Sequence, residues 1–406
     1  MKKIAFLIPD LYTGGMPRVL ESLTNNMSKN KYSKMVICLK EKPINFNMDC
    51  HVVSIAKEGN TYLTKLFIEF LRLYKVWKLC RQNKFDAVIS FGMIANIINV
   101  FVNKYGKKIL TEHNVKSIEN RAGKHFGYKL LMKVYNMLIK NTYNYADKII
   151  NVSAVIGNDL NKNYGVDKKL MYTIYNGVDD KKIKELAKEK LNIDEGKLFQ
   201  HPVILNVGAL SCQKAQWHLI RIMPYINKYV PKTNLVLIGE GALCDAYISL
   251  VQKMQLKNVY ILGKRNNPYK YMANASIFAL SSDYEGFPNV LVEAATVGIA
   301  IVSTDCLSGP REFLTISDNI NKETKDIEYG AYGILAPRLG NGEFETLADA
   351  PLSKSEISFA KAVVKLLTEK GIRGSYKNKS IIRAENFTAN KMAAEYEAVL
   401  DEAILC

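Results

Sequence analysis

The sequence predicts an α/β protein made of two doubly wound parallel-sheet domains in succession. Three observations predict it. A chain of 406 residues is long for a single core and suits two. Twelve short apolar runs, rich in Ile and Val, fall into two series of six. The segments between them carry helical periodicity, the signature of buried parallel strands joined by crossover helices.

The first series is "IAFLIP" (4–9), "SKMVICL" (33–39), "CHVVSI" (50–55), "DAVISF" (86–91), "KKILTEH" (107–113) and "DKIINVS" (147–153). The second is "PVILNVG" (202–208), "NLVLIGEG" (234–241), "NVYILG" (258–263), "SIFALS" (276–281), "AIVSTD" (300–305) and "YGILAP" (332–337). Between them "YNGVDDKKIKELAKEK" (175–190) is polar and turn-forming at Asn176 and Gly177. The expected division is therefore 1–180 and 181–384, with 385–406 forming a helix that returns to the first domain. In such an arrangement a ligand lies at the carboxyl ends of the strands, between the domains.

Composition excludes several classes. Apolar residues make up 48% and charged residues 23%, which is ordinary globular usage. The seven cysteines are scattered and lack any CxxC spacing, so a reduced, cytosolic protein without disulfides or a zinc site is expected. "MKKIAFLIPDLYTGG" has too few apolar residues for a signal-peptide core and reads as a first strand. The longest stretch without charge, Ala87–Asn103, falls short of the roughly 20 apolar residues of a membrane span.

The net charge of +17 is uneven. Residues 1–200 hold 34 Lys and Arg against 18 Asp and Glu; the remainder hold 22 against 21. A basic first half points to an anionic partner. Residues 61–85 mix Lys65, Arg72, Lys75, Lys78, Arg81 and Lys84 with Phe67, Phe70, Tyr74 and Trp77. Residues 120–148 mix Arg121, Lys124, Lys129, Lys133 and Lys140 with Phe126, Tyr128, Leu131, Met132, Tyr135 and Leu138. Both read as amphipathic helices suited to an anionic membrane surface, or as ordinary helices with a solvated basic face. No nucleic-acid signature accompanies the charge, so no nucleic-acid partner is expected.

Several loops at the strand ends carry chemistry. After the first strand, Gly14 and Gly15 allow close backbone approach before a helix whose first N–H groups suit a phosphate or a sugar; a plain tight turn fits equally. After the first strand of the second series, Lys214 is placed to reach an anion. Residues 281–298, "SSDYEGFPNVLVEAATVG", hold Glu285 and Glu293 with seven residues between them. Eight helical residues rise about 12 Å, and a hydrolytic pair needs its carboxyls roughly 5–9.5 Å apart. The two glutamates suit the two ends of an extended ligand instead. The N–H groups of Phe287, Asn289 and Val290 between them begin a helix, which favours phosphate. Hydroxyl, phosphate and diol in that order describe a nucleotide-diphosphate sugar.

"EGFPNVLVE" resembles the E-x7-E element of the retaining glycosyltransferases of family GT4 (group 1), which have the GT-B fold of two Rossmann-like domains facing a cleft. "GGMPRVLESL", "TEHN" (111–114), "IYNGVD" (174–179), "VGALSCQKA" (207–215), "IGEGAL" (238–243), "LGKRNNPYKYMANAS" (262–276) and "STDCLSGPRE" (303–312) agree in order and spacing. The similarity is greatest to bacterial enzymes of lipopolysaccharide, capsule and lipid-linked oligosaccharide synthesis.

By position, the resemblance implies that Glu285 binds hydroxyls of the transferred sugar and Glu293 those of the ribose. Lys214 meets the diphosphate, and backbone across Gly286, Phe287, Pro288, Asn289 and Val290 holds sugar and phosphate. Lys264 and Arg265 lie beside the base, Gly14 and Gly15 face the phosphate, and His113 stands near the reacting centre. Three positions depart from the pattern. Ala209 replaces an arginine, Ala215 a glycine, and Pro17 an acidic residue. Loss of the arginine removes a forked phosphate clamp, which leaves Lys214, with Arg265 or Arg311 as helpers.

The implied reaction is retaining transfer from a nucleotide sugar, most simply a UDP-sugar, to a glycan or polyprenyl-linked acceptor, by front-face attack and without a metal or other cofactor. His113 orients the sugar or polarises the leaving group. The expected location is the cytoplasm, peripheral to the inner face of the cytoplasmic membrane. A noncatalytic degenerate subunit or glycan-binding scaffold, and a sugar-nucleotide epimerase of the same fold, are the alternatives.

Overall fold

The structure is a computed structural model that describes residues 1–12, 14–57, 59, 61–119, 126–316, 319–340, 343–344 and 348–405. It divides into two compact units, Met1–Val178 with Thr388–Cys406, and Asp179–Phe387.

The first unit holds seven strands: β1 (Lys2–Ile8), β2 (Tyr32–Lys40), β3 (His51–Ala56), β4 (Ala87–Phe91), β5 (Lys107–Glu112), β6 (Lys148–Asn151) and β7 (Met171–Thr173). They form one sheet in the order β3-β2-β1-β4-β5-β6-β7, parallel throughout. The central strand β4 is buried at every residue, as a run that is apolar apart from Ser90 leads one to expect. One face of the sheet packs on helix Gly15–Asn26 and on the last helix, Ala389–Leu405, whose Met392, Ala393, Tyr396 and Leu400 enter the same core as Ile4 and Phe6. The other face is covered by helices Tyr62–Asn83, Met93–Val102 and Phe126–Thr142.

The second unit holds β8 (Val203–Val207), β9 (Asn234–Ile238), β10 (Val259–Ile261), β11 (Ile277–Leu280), β12 (Ala300–Thr304), β13 (Glu328–Tyr329) and β14 (Ile334–Ala336). Their order is β10-β9-β8-β11-β12-β14-β13, with only β13 antiparallel. The twelve apolar runs all become strands. β7 and β13 are additions of three and two residues at sheet edges, too short and too polar to stand out as runs.

Each sheet has a switch point where the strand order reverses: between β1 and β4 in the first, between β8 and β11 in the second. At such a point adjacent loops diverge and leave a crevice at the carboxyl ends of the strands. The GG loop follows β1. The Lys214 and Glu285 loops follow β8 and β11.

Candidate active site

In the second unit the two switch-point loops are laced together. Asp283 N–H donates to the carbonyl of Gln213 at 2.8 Å. The Ser281 hydroxyl donates to the carbonyl of Lys214 at 2.8 Å, and the Gln213 side-chain amide donates to the carbonyl of Tyr284 at 3.0 Å. These bonds bring the Lys214 ammonium to 2.5 Å from Oε1 of Glu285, an oxygen that also accepts the Ser282 hydroxyl at 2.6 Å. Glu285 is buried, while Lys214 keeps a fifth of its side chain in solvent. Taking a carboxylate out of water is unfavourable unless it is paired and hydrogen-bonded, and Glu285 has both partners.

The loop Gly286–Pro288 leads into helix Asn289–Val297. Phe287 turns its ring inward, against Phe313 and Phe387, so this stretch offers backbone rather than side chain to a ligand. The first N–H groups of that helix lie outside its own hydrogen-bond ladder. Glu293 is buried one turn further on, with the Tyr269 hydroxyl 3.5 Å from Oε1. Gly309 packs on the loop from the far side, at φ 84°. A Cβ there would lie 2.5 Å from Cδ of Pro288.

Lys264 and Arg265 follow β10. Lys264 is half exposed, 3.7 Å from Glu240. Arg265 lies 3.4 Å from Glu195 and donates to the Tyr271 hydroxyl at 3.2 Å. Arg311 does not replace the missing arginine. Its guanidinium is buried and held by both Asp305 and Glu328. Ala209, where that arginine would stand, is exposed.

Ala215 stands where the resemblance expects glycine. Its φ is 49°, in the left-handed region that glycine adopts freely, and it is buried.

In the first unit Gly14 caps helix Gly15–Asn26 at φ 119°. Gly92 does the same for helix Met93–Val102 at φ 80°, across the switch point. His113 follows β5 and is 8% exposed. Its ring stacks on Phe91, with centroids 5.4 Å apart, and Nε2 lies 3.0 Å from the Thr111 hydroxyl. Burial first, and Lys116 second, push its pKa down to about 3, so the imidazole is neutral near pH 7.

Sequence reasoning missed Ser281, Ser282, Gly92, Thr111 and Asp283, which binds Arg338 at 2.8 Å. Ser281, Ser282 and Asp283 stand directly before the Glu285 motif, and Gly92 ends an apolar run, so position was the available signal. Arg338, 55 residues from Asp283, carried none.

The chain matches known proteins over most of its length. The family model "Glycosyltransferase Family 4" matches residues 13–182, and "Glycosyl transferases group 1" matches 183–323. The chain is 30% identical to an uncharacterized glycosyltransferase of Methanocaldococcus jannaschii, over 82% of this chain and 83% of that one. The chain belongs to the group 1 glycosyltransferases. This glycosyltransferase is also 29% identical to a Campylobacter jejuni protein, over 97% of this chain and 98% of that one. That protein is named N-acetylgalactosamine-N,N'-diacetylbacillosaminyl-diphospho-undecaprenol 4-alpha-N-acetylgalactosaminyltransferase. Among solved structures it resembles Anabaena HepE in complex with UDP-glucose, with a TM-score of 0.73, 18% identity, and 99% and 100% of the two chains covered. The fold is GT-B. The enzyme is a glycosyltransferase.

Proposed function

We propose that this enzyme moves a sugar from a UDP-sugar to a polyprenyl-diphosphate-linked glycan, with retention of anomeric configuration and without a metal ion. The observation that carries the acceptor class is the Campylobacter relative. Its likeness spans 97% of this chain, and its name specifies a diphospho-undecaprenol acceptor.

The roles are those the family resemblance implies, position by position. Glu285 binds hydroxyls of the donor sugar and Glu293 those of the ribose. Lys214 and the N–H groups from Phe287 to Val290 take the diphosphate, and Lys264 and Arg265 flank the base. Gly14 and Gly15 face the phosphate, and His113 orients a substrate. In transfer, the anomeric carbon–phosphate oxygen bond breaks while the acceptor oxygen bonds to that carbon on the same face. The acceptor proton passes to the departing phosphate. Lys214 and the helix-start N–H groups stabilise the charge that develops on UDP.

We also propose that the first unit docks on the inner face of the cytoplasmic membrane. Helices Tyr62–Asn83 and Phe126–Thr142 both pack on Met93–Val102. They leave Phe67, Phe70, Tyr74, Leu130, Leu131, Val134 and Met137 exposed, with Lys78, Arg81, Lys133 and Lys140 exposed on the same helices. Such a mixture suits headgroups. Arg72 is not part of the basic face. It is buried, with Nε donating to the carbonyl of Leu39. Arg121 and Lys124, and the side chains of Lys65, Phe126, Tyr128 and Lys129, lie outside the described residues. Among the described residues no helix is long and apolar enough to cross a membrane.

The test is incubation with a panel of UDP-sugars and a short-chain polyprenyl-diphosphate glycan, reading UDP release and the anomeric configuration of the product by NMR. Release of UDP with an α-linked product from an α-linked donor is expected. Inversion, or turnover only on a free sugar acceptor, refutes the proposal.

A further inference from the structure

The hydrogen bond of His113 has a direction that its surroundings decide. The Thr111 hydroxyl owns one hydrogen. Its oxygen lies 2.8 Å from the carbonyl oxygen of Ser90 and 3.0 Å from Nε2 of His113. A carbonyl only accepts, so the contact with Ser90 needs the threonine hydrogen. Aimed at His113 instead, that hydrogen would leave two oxygens facing each other bare in a buried place, which is costly. Ser90 and Thr111 are both fully buried, on the paired strands β4 and β5. The hydrogen between Thr111 and His113 therefore comes from the ring.

Two further contacts hold this arrangement. Phe91 stacks on the imidazole and sets its plane. Lys116, itself buried, is held 3.0 Å from Oε2 of Glu112, whose other oxygen accepts from Asn96 at 3.0 Å and from Tyr143. A cation fixed beside the ring opposes a second proton on it.

We propose that Thr111 is a positioning residue that locks His113 in the Nε2–H tautomer, so that Nδ1 presents a lone pair which accepts a hydrogen bond from a substrate hydroxyl. Nδ1 makes no hydrogen bond among the described residues. A ring in this state orients a hydroxyl; it has no free donor with which to polarise a departing phosphate. The hydroxyl rests on the functional reading above, and the tautomer does not.

The experiment uses the full chain labelled with imidazole-15N histidine, with His113 assigned among the five histidines from the spectrum of His113→Gln. Long-range 1H–15N correlations near pH 7 distinguish the two tautomers. The Nε2–H pattern is expected in the wild type and in Thr111→Ser. Thr111→Val keeps the shape but loses the acceptor oxygen, and should populate the Nδ1–H form. Its turnover with the true donor should fall by about tenfold, the loss of roughly one buried hydrogen bond. An Nδ1–H wild type, or a tautomer unmoved by Thr111→Val, overturns the proposal, and this measurement needs no substrate. If Thr111→Val fails to fold, the wild-type and Thr111→Ser spectra still decide. Saturating UDP-sugar or acceptor should shift the Nδ1 resonance, and UDP alone should not; the arm that shifts it identifies the hydroxyl. A resonance unmoved by both refutes the substrate contact. UDP-sugars that give no turnover beside an intact Nε2–H pattern refute only the donor reading.

Discussion

Lys214 and Glu285, 71 residues apart in sequence, form a direct ion pair with Nζ 2.5 Å from Oε1. Each is thus partly neutralised before any ligand arrives. A diphosphate competes with Glu285 for the ammonium, and its arrival frees the carboxylate for sugar hydroxyls. Glu285→Gln should therefore have two opposite effects. Turnover should fall by about 10²–10³, the scale for removing one preorganised charged group. Affinity for UDP alone should rise several-fold, since the Lys214 ammonium no longer has to give up a buried carboxylate partner to meet the diphosphate. Calorimetry and a UDP-release assay read both; weaker UDP binding in Glu285→Gln would show that the pair does not compete with phosphate.

Activity should be indifferent to divalent metal. Lys214 carries a fixed positive charge at the strand tip, beside the helix-start N–H groups proposed to take the diphosphate. Turnover should survive EDTA at full rate. Loss in EDTA with recovery in Mg²⁺ or Mn²⁺ would mean that lysine and backbone are insufficient.

Two backbone positions make contrasting predictions. Gly309→Ala places a Cβ 2.5 Å from Pro288 at a φ of 84°, so the loop carrying Gly286 must shift. UDP binding should weaken by more than tenfold, with a loss of about 1–3 kcal/mol in stability. Ala215→Gly relieves a left-handed alanine at the cost of chain entropy, and should change stability by less than about 1 kcal/mol. Chemical denaturation of both variants checks the pair; an inert Gly309→Ala would refute the packing argument.

The second unit should lose stability in acid through Glu356. Burial opposes its charge, but hydrogen bonds from His218 and Arg221 prevail and hold it at about 2, below the ordinary 4.5. A depressed carboxylate contributes fully above 4.5, and that contribution disappears as pH falls toward 2. Glu356→Gln should flatten the stability curve across this window. A curve of unchanged slope would show that other groups govern acid unfolding.

Membrane docking should be salt-sensitive and partly apolar. The wild type should sediment with anionic vesicles at low salt and release near 1 M, where the Debye length is about 3 Å. Replacing Lys78, Arg81, Lys133 and Lys140 by glutamine should abolish most binding, at about 1 kcal/mol per charge. Phe67→Ser with Phe70→Ser should weaken what persists in salt. Equal binding to neutral and anionic vesicles would leave these helices as ordinary solvated ones.

The sheets were legible in sequence because each central strand is buried on both faces and must be mostly apolar, as Ala87–Phe91 is apart from Ser90. Glu285, Glu293 and Lys214 were marked by spacing and, above all, by the resemblance of "EGFPNVLVE" and "VGALSCQKA" to the family's motifs. Edge strands β7 and β13 carry no such pressure and left no pattern. The pairing of Lys214 with Glu285 was invisible, because it depends on β8 and β11 being neighbours at a reversal of strand order. Arg72 and Arg311 read as available cations, yet each is buried and bonded by groups distant in sequence. The tautomer of His113 likewise depends on Ser90, a residue on another strand. Sequence alone determined which residues are candidates for the chemistry, because residue type and local pattern are properties of a segment. The tertiary structure decided which of them are free to do it, because a charge or a proton is committed by whichever partner the fold brings within 3 Å.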